Sequence, residues 1–271
     1  MNNYPNTHIH KDAKIGQNVT IEPFTSIAAD VEIGDHTWIG PNVTLMDGAR
    51  IGSHCRIFPG AVISAIPQDL KFEGEKTTAV VGDHTTIREY VTINRGTRDR
   101  YETRIGNHVL LMAYVHVAHD CIIGNHCIVA NTVQLGGHVV LGDYVVMGGT
   151  SAAHQFVKIG DHAMVAGGGR ARKDVPPFVK AGREPLSYVG VNSIGLRRRQ
   201  FNQEQMEQIR EIYRVIYQRG LNTQEAVAHI QEKLPQTTDR DSILAFIKAS
   251  KRGIIRGAGS QEDEASNIDL F

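Results

Sequence analysis

Apolar residues recur at an interval of six along the first two-thirds of the chain. Counting from Ile9, the position is filled at Ile15, Ile21, Ile27, Ile33, Ile39, Leu45, Ile51, Ile57 and Ile63. The series lapses at Asp69 and Glu75, resumes in phase at Val81, Ile87 and Ile93, lapses at Asp99, and runs unbroken from Ile105 to Ala171. Of 28 such positions 25 are apolar, against 41% for the whole chain, so chance does not produce the period. Four places after the apolar position stands a small or β-branched residue, as at Val19, Val43, Val91, Val109 and Val133. Cys55, Cys121 and Cys127 all occupy that second position and read as small buried side chains. A period of six matches neither a helix nor a long alternating strand. It fits short strands separated by corners, with β-branched residues turned inward. Three strands make an 18-residue coil that pairs in parallel with the next at roughly 4.8 Å.

The pattern therefore predicts a parallel β-helix of about eight coils over residues 1–185, with excursions near 64–80 and 94–104 where the series lapses. Corner segments such as Gly34-Asp35-His36 and Gly106-Asn107-His108 hold residue types that tolerate unusual backbone angles. Long loops in a regular solenoid usually carry function. After Pro176-Pro177 the period stops, and a small all-α domain is expected over 186–256. Asn202 and Gln205 form a helix-start signature, followed by Met206, Ile209, Tyr213 and Ile216 at helical spacing. A second helix is expected from Thr223 to near Pro235, and a third from about Asp241 to Gly253. Residues 257–271, with Glu262-Asp263-Glu264, read as a mobile acidic tail.

Charge and composition narrow the function. Lys+Arg and Asp+Glu both number 29, and no basic block occurs, which argues against a nucleic-acid partner. No stretch approaches the roughly 18 apolar residues of a membrane span. Met1-Asn2-Asn3-Tyr4-Pro5 lacks the basic-then-apolar order of a secretory signal. An odd number of cysteines fits a reducing compartment. A cytoplasmic protein without a cofactor is expected.

Histidine is abundant, so its position must discriminate. His36, His54, His84, His108, His126, His138 and His162 all lie three places after the inward residue and read as corner residues. His116, His119 and His154 do not. The 18-residue coil puts His119, Gly137 and Gln155 in one column and Asp120, His138 and Phe156 in the next. A His119-Asp120 pair supplies a general base with a carboxylate partner, and the Gly137 amide one coil on supplies an oxyanion donor. That equipment transfers an acyl group to a hydroxyl without a covalent intermediate. On the residues alone, a structural role for these histidines stands beside it. So do a zinc site using His116 and His119 with a histidine of another chain, and a non-catalytic scaffold. No metal is the preferred reading.

The six-residue period joins several further segments: Gln68-Asp69-Leu70-Lys71, His116-Val117-Ala118-His119-Asp120-Cys121, Gly137-His138 and His154-Gln155-Phe156. To these add Asp174-Val175-Pro176-Pro177, Gly190-Val191-Asn192 and Arg197-Arg198-Arg199. Together, over about residues 5–256, the chain resembles the UDP-N-acetylglucosamine 3-O-acyltransferases, which open lipid A biosynthesis. The resemblance implies a left-handed helix, a homotrimer with active sites between subunits, and a 3-hydroxyacyl chain delivered by acyl carrier protein. It assigns His119 as general base, Asp120 as its orienting partner and the Gly137 amide as oxyanion donor. Asp69 and Lys71 match contacts to the sugar and phosphates, while His116, His138, His154 and Gln155 match groove residues. Asn192, Arg198 and Arg199 match nucleotide-side contacts. The small Gly167-Gly168-Gly169 run leaves space for the acyl chain at Gly167, and Arg170, Arg172 and Lys173 are candidates for meeting the acidic carrier. Two positions depart from the family pattern. Ile194 stands where a carboxylate is usual, and Gly182-Arg183-Glu184-Pro185 lacks a histidine. The related N-acyltransferase has an additional amino-terminal uridine-binding domain, for which the series beginning at Ile9 leaves no room. An acetyl-CoA-dependent transferase on the same helix is the nearest alternative.

Overall fold

The computed structural model describes residues 4–258. Strands, mostly of two residues, wind into a left-handed parallel β-helix with three faces. The first face has nine rungs, from His8–Ile9 to Arg170–Ala171, and the second eight, from Lys14–Ile15 to Lys158–Ile159. The third begins at Thr20–Ile21. The six-residue series is the core: Ile27, Ile57, Ile87, Leu111, Val117, Val129 and Leu135 have no exposed surface. The cysteines lie within it, and burial pushes the Cys55 thiol up to about 11 and those of Cys121 and Cys127 to about 12. All three stay protonated at neutral pH and are poor nucleophiles or ligands.

Coil-to-coil register sets the geometry. Val117 pairs with Leu135, and Leu135 with Ala153, in steps of 18. At the edge between the second and third faces, each corner residue divides the work. Glycine allows close approach: a Cβ at Gly106 would come within 2.8 Å of Gly124 backbone. The next residue caps the coil before it, as Asp83 N donates to Asn107 Oδ1 (2.7 Å) and Asn107 N to Asn125 Oδ1 (2.9 Å). Asn125 N and Asp143 N continue the column to Asp143 and Asp161. The third residue sits in the left-handed region, with φ of 55–59° at His36, His54, His84, His108, His126 and His162. The rings of His54, His84, His108 and His126 stack at 4.8 Å, the spacing of the coils.

Both excursions leave from a different edge, that between the first and second faces. Ile63 pairs with Ile93, a step of 30 rather than 18, and Ile93 with Val117, a step of 24. The first excursion leaves after Ala65 and rejoins at Thr78; the second leaves after Asn94 and rejoins at Glu102.

Beyond the coils, Val179–Gly182 extends the third face and pairs antiparallel with Ser187–Val191, to which Arg256–Gly257 adds. The strand at 187–191 falls in the domain expected to be all-α, ahead of its first expected helix; Tyr188 stacks on Tyr217 there, with centroids 4.4 Å apart. Four helices follow: α1 (Ser193–Arg198), α2 (Gln203–Gln218), α3 (Thr223–Lys233) and α4 (Thr238–Ala249). Helix α1 is too short to show a repeating apolar face. Helix α2 starts on the Asn202–Gln205 capping box. Helix α4 begins before the expected Asp241 because Thr237 Oγ1 accepts from Arg240 N at 3.1 Å. No helix among the described residues is long and apolar enough to cross a membrane. The acidic tail residues Glu262-Asp263-Glu264 lie outside the described residues.

If the inward series carries the stability, truncating one member without touching the cleft must be costly. Leu111→Ala is expected to lose about 2–5 kcal/mol in chemical denaturation; a loss below about 0.5 kcal/mol would contradict it.

Candidate active site

His119 sits one residue before the left-handed corner at Asp120, whose φ is 59°. His119 is 7% exposed, and Asp120 is fully buried. His119 Nδ1 lies 2.7 Å from Asp120 Oδ2. The second excursion surrounds this carboxylate with donors. Thr97 N (3.0 Å) and Arg100 N (3.2 Å) donate to Oδ1, and Thr97 Oγ1 (2.7 Å) donates to Oδ2. The backbone is held as well, Asp120 N donating to Thr103 Oγ1 and Arg100 Nη1 to Asp120 O. Burial alone would raise the Asp120 pKa, but the bonds from His119 and Thr97 outweigh it and hold the carboxyl at about 2. Asp120 is thus an anion throughout the neutral range. An anion can only accept, so His119 Nδ1–H donates to it, and Nε2 is the ring nitrogen left outside the pair.

Gly137 stacks one coil on. A Cβ there would lie 2.7 Å from His119 Cε1 and Nε2, so only glycine lets the ring and the backbone meet this closely. The Gly137 N–H donates to no described residue. At the neighbouring edge the equivalent amides of Gln17, Ser53, Asp83, Asn107, Asn125 and Asp143 are capped by Asn or Asp of the following coil. Here the following coil presents Gln155, whose exposed side chain leaves the amide open. A cleft of about 460 Å³ runs along this edge and the first face, walled by His116, His119, Gly137, His154 and Gln155, with Arg170 and Arg172 at one end.

Five of the predicted site residues thus share the cleft wall. His116 Nδ1 lies 2.8 Å from Thr92 Oγ1; burial, then His119, lowers its pKa and keeps it neutral. The exposed ring of His154 lies 3.3 Å from Arg252 Nη2. His138 stands behind the pair rather than on the wall: it is edge-on to His119 and stacked on Phe156. Its Nε2 is 3.7 Å from Asp120 Oδ2, and its Nδ1 is 3.2 Å from Asp99 without hydrogen-bond geometry. Burial lowers the His138 pKa more than Asp120 raises it.

The remaining predicted residues are not on this chain's cleft wall. Asp69 accepts from Lys71 N (2.9 Å) within the first excursion, which touches the cleft through Gln68 instead. Asn192 caps α1 by accepting from Gly195 N (3.3 Å), and it donates to His162 O (2.9 Å). Arg199 donates to Tyr144 O (3.0 Å) with its guanidinium over the Tyr144 ring, while Arg198 is exposed in the last turn of α1. Gly167 lies on the edge between the third and first faces, where an added Cβ meets only Gly149 backbone, its O at 3.2 Å. Sequence reasoning missed Thr97, Arg100, Gln68 and Asn94. The lapse at Asp99 is the one signal that could have pointed to Thr97 and Arg100.

His119, Asp120 and His138 bring three ligand-type atoms within 4.8 Å of one another. Thr97 and Arg100 already occupy the outer lone pairs of the carboxylate, so these residues do not fit a metal centre. The arrangement suits general-base chemistry beside a free amide.

Residues 30–65 and 102–137 match the bacterial transferase hexapeptide model. Residues 174–255 match the second domain of UDP-N-acetylglucosamine O-acyltransferases. An acyl-(acyl-carrier-protein)–UDP-N-acetylglucosamine O-acyltransferase of Chlorobaculum parvum is 59% identical over 251 residues, covering 92% of this chain and 95% of the relative. One from a Sulfurihydrogenibium species is 55% identical over 260 residues, covering 96% of each chain. The solved UDP-N-acetylglucosamine acyltransferase of Bacteroides fragilis superposes with a TM-score of 0.92 at 50% identity, covering 93% of this chain and 99% of that one. The chain belongs to this O-acyltransferase family and is an acyltransferase.

Gly137→Ala is expected to displace the His119 ring and lower turnover about 100-fold, with a melting midpoint within a few degrees of the parent. Unchanged turnover would show that this contact is not needed.

Proposed function

We propose that the enzyme transfers a 3-hydroxyacyl chain from acyl carrier protein to the 3-hydroxyl of UDP-N-acetylglucosamine, opening lipid A biosynthesis in the cytoplasm. The observation that carries the mechanism is the His119 ring, held to Asp120 at 2.7 Å and packed against Gly137, whose amide donates to no described residue. His119 Nε2 takes the proton of the sugar hydroxyl as its oxygen attacks the thioester carbonyl carbon. The carbonyl oxygen gains charge and accepts from Gly137 N–H. The tetrahedral intermediate collapses, the carbon–sulfur bond breaks, and the thiolate recovers the proton from His119. Asp120 orients the ring and stabilises the imidazolium formed in between. His116, His154 and Gln155 line the sugar and acyl path, and His138 braces the pair. Arg170, Arg172 and Lys173 meet the acidic carrier near the cleft's open end.

A homotrimer completes the site in this reading. The third face turns Leu110, Ile128, Val146 and Met164 outward in adjacent rungs, an apolar stripe suited to burial between subunits. Asn192, Arg198 and Arg199, remote from the chain's own cleft, then serve the nucleotide from a neighbouring subunit. Asp69 and Lys71 approach the phosphates from the first excursion.

The test incubates purified protein with UDP-N-acetylglucosamine and a panel of 3-hydroxyacyl carrier thioesters, and reads products by mass spectrometry. The expected product is the sugar nucleotide carrying one 3-hydroxyacyl ester; equal or better use of acetyl-CoA would overturn the assignment. Light scattering on the same sample should give three times the chain mass of 29.9 kDa, and a fully active monomer would contradict the shared site. Gly167→Met is expected to shift the preferred donor to shorter chains, and an unchanged chain-length profile would remove Gly167 from the acyl path.

A further inference from the structure

The second excursion enlarges a single coil and places Thr97 and Arg100 around one buried carboxylate. We propose that Thr97 is a positioning residue for the acyl-transfer reaction: its hydroxyl and amide hold Asp120 in the one rotation that serves His119. This rests on the general-base reading of His119.

A carboxylate turns readily about its terminal torsion, and Asp120 has two imidazoles within reach. His119 Nδ1 is 2.7 Å from Oδ2 and His138 Nε2 3.7 Å from the same oxygen. The selection between them comes from the excursion. Thr97 N and Arg100 N pin Oδ1, and Thr97 Oγ1 occupies one side of Oδ2 at 2.7 Å. The direction of the hydroxyl proton is set as well, because Thr97 Oγ1 accepts from Asp99 N at 3.3 Å and so gives its proton to Asp120. Thr97 is 7% exposed, so water does not readily replace it. What remains on Oδ2 points at His119, which fixes the tautomer with Nε2 bare. Without the hydroxyl, Oδ1 is still held by the two amides, but Oδ2 can tilt toward His138, and His119 loses its fixed orientation.

The test compares steady-state kinetics of Thr97→Val, Thr97→Ala and Thr97→Ser in the full enzyme, with His119→Ala as a reference. Val and Ala are expected to lower kcat about 10- to 100-fold while both KM values stay within about twofold. Ser, which keeps the hydroxyl, recovers at least about a third of the parent rate. In an Asp120→Asn background, Thr97→Val should produce no further loss, since the two act through one bond. An inactive His119→Ala beside a fully active Thr97→Val or Thr97→Ala overturns the role of Thr97 alone. A fully active His119→Ala overturns the general-base reading itself. A Ser variant as slow as Val, or a loss confined to KM, also overturns the proposal.

Discussion

The in-register hydrogen bond between successive coils is the constraint on which the molecule depends. His116 N reaches Val133 O at 3.0 Å and Ala118 N reaches Leu135 O at 3.1 Å, and the same link repeats on all three faces. Parallel pairing at this spacing converts a distance of 18 residues along the chain into contact across it. It stacks the inward isoleucines, valines and leucines into one continuous core. It also sets an imidazole against a glycine one coil away. A slip of one residue on any face would turn the core outward and separate that pair.

The two edges described here use one backbone in opposite ways. Between the second and third faces, each coil satisfies the last: Asp and Asn oxygens cap the amides, and histidine rings stack over the corners. Between the first and second faces, the repeat stops satisfying itself. Gly137 leaves an amide open, His119 replaces a capping residue, and both excursions depart from this side. The corner position that elsewhere holds a stacking histidine here holds Asp120, with His138 and Phe156 above it. In the proposed mechanism, chemistry arises where the repeat's own rules are suspended, while the regular edge supplies the rigidity that keeps the cleft residues in place.

The period of six carried most of the fold because it reports inward-facing positions directly, and the 18-residue column placed His119 beside Gly137 on arithmetic alone. The hand was not readable that way, since parallel crossovers usually run right-handed and the left-handed corners break that rule. The excursions break the arithmetic too: a step of 24 moves Thr97 and Arg100 against Asp120, a contact that no constant interval predicts. Asn192 and Arg199 show the opposite case. Their residue types suggest ligand contacts, yet each also has a clear structural task, as a helix cap and as a clamp on Tyr144. The strand at 187–191 escaped because its partner, Val179–Gly182, lies across a tight turn.

A structure of the enzyme with UDP-N-acetylglucosamine bound tests the account most directly. The sugar 3-hydroxyl should lie about 2.6–3.2 Å from His119 Nε2, on the side of the ring that faces the Gly137 amide. A sugar whose 3-hydroxyl faces another group, with His119 Nε2 out of reach, would contradict it.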